Sequence, residues 1–172
     1  MTPDLDSAPV PGLRPDDHVR GGPGGRVVVM YADLACPRCA VGWERLRDAP
    51  LRLVFRHFAL RAKHPRALAL GHAAEAAAAQ GAFWPWVQGV YADQGRVDDP
   101  HLWALAERLG LDVDRFEADR RSDAIAARVR RDVRDALRAG VSATPTLAVG
   151  GVLHPGPPSP ELVLGWATTR IE

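Results

Sequence analysis

Cysteine is almost missing from this 172-residue sequence: there are two, Cys36 and Cys39, three positions apart. A disulfide stabilises mainly by closing a long loop, so a bridge over two intervening residues is a poor staple. Long apolar runs are missing too. No stretch of about 18 apolar residues occurs, which excludes a membrane-spanning helix. Charge of one sign is missing: 22 Lys and Arg against 21 Asp and Glu leave +1. That balance offers no electrostatic reason to bind nucleic acid or an anionic membrane. The opening Met1-Thr2-Pro3-Asp4-Leu5-Asp6 is acidic where a secretory signal is basic, and no apolar stretch follows. The expected compartment is the cytoplasm. No internal repeat is found.

Against these absences stands an ordinary globular composition, 47% apolar and 25% charged. Residues 1–24 are rich in Pro, Gly and Asp and read as a flexible leader, with a short turn near Asp16-Asp17-His18. The domain proper is expected over 25–172. Residues 26–31, Arg-Val-Val-Val-Met-Tyr, are β-branched and bounded by glycines, which predicts a buried strand. A helix follows from Cys36 to about Asp48, with Pro37 at a first position where its missing N–H costs nothing. Residues 51–58 alternate as a second strand. Strand, helix and strand in so short a span make a βαβ unit with parallel strands and a right-handed crossover.

A run of helices is expected next, over about 62–139. Residues 65–80 are Ala-rich and end at Gly81. Another helix spans 83–94 with Pro85 in its first turn. Asp98-Asp99-Pro100 opens a third, Asp112 a fourth and Ser122-Asp123 a fifth. In the fifth, Ile125, Val129, Val133 and Leu137 recur every four residues as one apolar face. The chain then reads as a strand over 141–149 interrupted by Pro145, a Gly150-Gly151 turn, a partner strand over 152–154, and a last helix from Ser159 to about Thr169. The order β-α-β, helical insertion, β-β-α defines a mixed α/β domain.

The chemistry concentrates at Cys36-Pro37-Arg38-Cys39. A helix start offers unpaired N–H groups and the positive end of the helix dipole, and both favour a thiolate. Arg38 adds a full positive charge. Such settings lower a cysteine pKa from about 8.5 to between about 3.5 and 7.5. The spacing lets the two sulfurs meet, the first exposed to attack and the second placed to resolve a mixed disulfide. Half of a zinc site is the metal alternative, but there is no second cysteine pair. His18, His57, His64, His72, His101 and His154 are scattered, so no metal is expected. His57, His64 and His72 read as loop, surface or capping residues. Thr144-Pro145, just before a strand, is either a candidate cis peptide or an edge-strand proline. Most tryptophans read as core, while Trp84 and Trp86 are candidates to line a substrate groove.

The sequence resembles the DsbA-like branch of the thioredoxin superfamily. The resemblance rests on residues 27–39 through the CPRC; on His64-Pro65 with residues 73–77 and 80–84; on Gly140-Val141-Ser142-Ala143-Thr144-Pro145-Thr146-Leu147; and on Gly150-Gly151-Val152 with the helix from Ser159. It is most similar to soluble single-domain members and to the thioredoxin-like domains fused to sodium/proton antiporters. The resemblance implies a thioredoxin fold with an inserted helical subdomain. It implies a cis Thr144-Pro145 against the cysteine pair. Thr144 would contact substrate through its backbone, and its hydroxyl would donate to the Cys36 thiolate. Departures are Arg38, where relatives often carry an aromatic or His, and Met30, where many thioredoxin-fold enzymes carry a buried acid. Asp33 either caps the helix or takes over proton transfer.

The expected activity is thiol-disulfide exchange. Cys36 is the nucleophile, Cys39 the resolving thiol, Pro37 and Pro145 shape the site, and Arg38 tunes the potential. No cofactor is needed. The expected partners are protein or peptide thiols and disulfides, with a redox partner protein or a low-molecular-weight thiol supplying electrons. The alternative is a redox-inert or redox-sensing binding domain on the same fold.

Overall fold

The β-branched run fills the centre of a sheet. In the computed structural model, which describes residues 8–168, strand β2 (Arg26–Ala32) lies between β3 (Leu51–His57) and β4 (Thr146–Val149). It pairs parallel with β3 and antiparallel with β4, and β5 (Val152–Pro155) closes that edge. The opposite edge is β1 (His18–Arg20), antiparallel to β3, giving the order β1-β3-β2-β4-β5. Side chains of β2 alternate between two cores, as a pleated strand requires. Val28 and Met30 face one that includes Trp43 and Leu46 of α1 (Pro37–Leu46), while Val29 and Tyr31 face another that includes Ala136 and Phe58.

Between β3 and β4 lie five helices: α2 (Ala67–Ala78), α3 (Phe83–Ala92), α4 (Asp99–Arg108), α5 (Val113–Asp119) and α6 (Asp123–Arg138). Asp98, Asp112 and Ser122 cap the last three with side-chain oxygens, as the sequence suggests. A final helix, α7 (Pro160–Thr168), follows β5. The fold is therefore the mixed α/β thioredoxin arrangement with a helical insertion.

Three expectations need correction. Residues 8–24 are not a free leader. Ala8 N–H donates to Arg138, Arg14 pairs with Asp132 and Asp135, and β1 extends the sheet. The fully buried Arg56 holds this strap, donating to the Pro11 and Gly12 carbonyls and to both oxygens of Asp17. Residues 1–7 and the end of the last helix at Thr169 lie outside the described residues. The strand expected over 141–149 begins only at Thr146, because Pro145 has no N–H to give the ladder. In α6, Leu137 is 59% exposed while Asp132 and Ala136 are buried. Steps of four overshoot a 3.6-residue turn by about 40°, so by the third step the apolar series has left the core face.

His57 is likewise no surface residue. It is buried, and both it and His18 bond Glu75 Oε1 at 2.8 Å. Burial opposes the Glu75 charge, but the two imidazoles hold its carboxyl far below the usual range.

Candidate active site

Cys36 ends the loop after β2 and occupies the N-cap position of α1, with Pro37 as the first helical residue. Both thiols are free. Cys36 keeps 5% of its surface accessible and Cys39 none, while Pro37 and Arg38 between them are exposed. Cys36 is therefore buried, where the sequence predicts an exposed thiol, and of the two cysteines only Cys36 reaches the surface at all. The Cys36 thiol is lowered from the usual 9.0 to about 5. The largest cause is a hydrogen bond from the Cys39 thiol. Burial opposes it, and the Thr144 side chain and the backbone N–H groups of Cys39 and Arg38 add to it. Cys39 moves the other way. Burial pushes its thiol far up, and the neighbouring Cys36 sulfur adds to the shift. One sulfur is therefore an anion at neutral pH and its neighbour a protonated thiol that donates to it.

The Thr144–Pro145 peptide is cis and buried beside the pair. When protonated, Cys36 donates to the Thr144 carbonyl at 3.7 Å. Pro145 packs across Gly42 of α1, where an added Cβ would meet the Pro145 ring at 3.4 Å and Met30 at 3.3 Å. Helix, strand and proline loop thus converge on the sulfurs.

Comparison with known proteins agrees with this geometry. The thioredoxin family model matches residues 14–166. This chain belongs to the thioredoxin family. Within it the chain is DsbA-like. It is 26% identical to Pseudomonas aeruginosa DsbA2, with a TM-score of 0.71 over 91% of this chain and 94% of that one. A thioredoxin-like oxidoreductase from Silicibacter pomeroyi is 23% identical, with a TM-score of 0.79 over 89% of this chain and 91% of that one. In sequence, it is 40% identical over 158 residues to the Na(+)/H(+) antiporter NhaA of Herminiimonas arsenicoxydans, covering 87% of this chain and 25% of that protein. The chain spans about a quarter of the length of the curated relatives it matches.

On this thioredoxin frame Asp33 does not cap α1, which has no side-chain cap. Its buried carboxylate faces the loop after β3 instead. It accepts from Ala35 N–H at 2.8 Å, Leu60 N–H at 3.2 Å and His64 Nδ1 at 2.9 Å. The backbone N–H of Asp33 points to the Cys39 sulfur at 3.5 Å. His64, read from the sequence as a loop or surface residue, is thereby tied to the floor of the site. Arg38 acts on Cys36 through its backbone N–H, while its guanidinium lies against Gly156. Trp86 cannot line a groove. It is fully buried against Phe116, 4.9 Å between ring centroids, and its indole nitrogen has no hydrogen-bond partner. Trp84 stacks on Trp43 at 5.6 Å, about two turns along α1 from Cys36, so it packs the scaffold and not the mouth.

Two residues of α3 and its end complete the site. Tyr91 is buried behind the pair and donates to the Asp33 carbonyl at 3.4 Å. Burial and the nearby Cys39 sulfur raise its hydroxyl well above the usual value. Gln94 donates to the carbonyls of Leu34 at 2.8 Å and Cys36 at 3.1 Å, clamping the turn into α1. Nothing local in the sequence marks either one, because both sit more than 50 residues from the cysteines.

Proposed function

We propose that this protein exchanges disulfides with protein or peptide thiols through Cys36 and Cys39, and that its intrinsic poise is oxidising. The observation that carries the reading is the opposed pair of thiols, Cys36 down to about 5 and Cys39 far up, at one helix start. In the oxidised protein a substrate thiolate attacks the Cys36 sulfur. The Cys36–Cys39 bond breaks, and Cys39 leaves with the electron pair and takes up a proton. A second substrate thiolate then attacks the substrate sulfur of the mixed disulfide and expels Cys36 as a thiolate. The substrate gains a disulfide and loses two electrons, which the protein holds as its dithiol. Substrate disulfides are reduced by the same steps in reverse. A stable Cys36 anion is a good leaving group and favours the reduced form, hence the oxidising direction.

Oxidation of a reduced peptide dithiol by the oxidised protein, one equivalent per site, tests this. Wild type should complete one turnover and Cys36→Ser none. Wild type with an intact Cys36–Cys39 bond and no transfer in either direction would leave the fold as a binding domain and overturn the proposal.

A further inference from the structure

The segments that frame the dithiol are 33–40, 58–66, 91–94, 141–146 and 155–159. They hold two carboxylates: Asp33, which is buried, and Asp93, which is exposed and paired with Arg96. The same segments carry Arg38, Arg61 and Lys63, all exposed and none in an ion pair among the described residues. The placement of these cations is built in. Asp33 bonds Leu60 N–H at 3.2 Å and His64 Nδ1 at 2.9 Å, so it pins both ends of the turn that presents Arg61 and Lys63. The Asp33 backbone in turn touches the Cys39 sulfur. At the start of α1, the Arg38 guanidinium lies against Gly156, whose N–H donates to the Pro145 carbonyl at 2.7 Å. Arg66, in the same loop as Arg61 and Lys63, pairs with Asp99. Elsewhere Arg14 pairs with Asp132 and Asp135, Arg120 with Asp99, and Arg128 and Arg131 with Asp16, while Arg26, Arg52, Arg108, Arg130 and Arg138 have no ion pair among the described residues. The segments around the reactive sulfur thus carry three exposed, unpaired cations and no unpaired exposed carboxylate among the described residues.

We infer that this cationic rim selects substrate cysteines embedded in acidic polypeptide segments. Carboxylates flanking the substrate thiol would meet Arg61 and Lys63 on the loop after β3 and Arg38 at the start of α1. Exposed charges act mainly on encounter, and salt weakens them. The inference rests on the exchange activity proposed above, and its test separates the two.

Two peptide dithiols of one sequence, flanked by Glu in one and by Lys in the other, would be mixed with the oxidised protein. Each rate is divided by that peptide's rate with a neutral aromatic disulfide, which removes differences in thiol pKa. The Glu peptide should react about tenfold faster at low salt, with the ratio falling toward one near 1 M salt. Arg61→Gln with Lys63→Gln should cut the ratio about threefold. The equal charge change Arg130→Gln with Arg134→Gln, on the outer face of α6, should leave it unaltered. Equal normalised rates, or a ratio indifferent to salt or to the loop substitutions, would overturn the inference while leaving the exchange activity standing. If neither peptide reacts, the exchange proposal fails. The inference is then read from binding of the serine-for-cysteine peptides, where tighter binding of the Glu form supports it and equal binding sinks it.

Discussion

At Cys36 several donors meet on one sulfur, and each contributes differently to holding it as an anion. A hydrogen bond to a charged group is worth about 1.5–3 kcal/mol, or roughly one to two pKa units. Cys39→Ala removes the largest donor, so the Cys36 titration should move up from about 5 by that amount. With a substrate disulfide the same variant should accumulate mixed disulfide, because Cys39 is no longer there to displace the substrate from Cys36. Thr144→Val removes a smaller donor and should shift the titration less. The rate of alkylation against pH reads all three proteins, and an unshifted Cys39→Ala profile would refute the donor role. The pair itself was legible in the sequence, because its parts are local: two cysteines, a proline and a strand before them. Tyr91 and Gln94 were not legible, because they reach the site only through the packing of α3 on α1.

At the scale of elements, Asp33 and Asp17 do comparable work, each holding a segment outside the regular elements through buried hydrogen bonds. Asp33→Ala leaves the Ala35 and Leu60 N–H groups and His64 without their acceptor. The expected loss is about 2–4 kcal/mol, with proteolytic nicking appearing first in 60–66. Asp33→Asn, which keeps an acceptor, should lose less. An Asp33→Ala protein as stable and protease-resistant as wild type would show that the loop is held by something else. Asp17→Asn strands the buried Arg56 guanidinium, and denaturant unfolding should register a loss of about 3–5 kcal/mol. That strap escaped the sequence reading because Pro and Gly dominate it, and composition reports local preference, not a partner 39 residues on. The helices were legible for the opposite reason. Their caps at Asp98, Asp112 and Ser122 lie next to the residues they serve. Where a pattern was extrapolated along α6, the mismatch between four and 3.6 residues carried it off the core.

For the whole molecule, the depressed Cys36 thiol ties folding stability to redox state. The unfolded thiol titrates near 9.0 and the folded one near 5. A depressed acid contributes stability fully above the unfolded value and loses it as pH falls through the folded one. The contribution therefore grows between about pH 5 and pH 9, by about 1.4 kcal/mol per pH unit, and reaches about 3 kcal/mol at pH 7. Cys39, pushed up by burial, ionises only in the unfolded chain, with its midpoint near 9.0, so it leaves the slope unaltered up to about pH 7.5 and opposes it above about pH 8. The oxidised protein has neither thiol to titrate, and the other charged groups, Glu75 and Asp17 among them, are common to both forms. Subtracting the two unfolding curves isolates the thiolate. Urea unfolding of reduced and oxidised protein at about pH 4.5, 6 and 7.5 should show a reduced-minus-oxidised difference that is flat at the acid end and rises thereafter. By linkage, the same rise is the free energy that drives electrons from a substrate dithiol into this protein, so curves that run parallel at all three pH values would remove the basis for an oxidising poise.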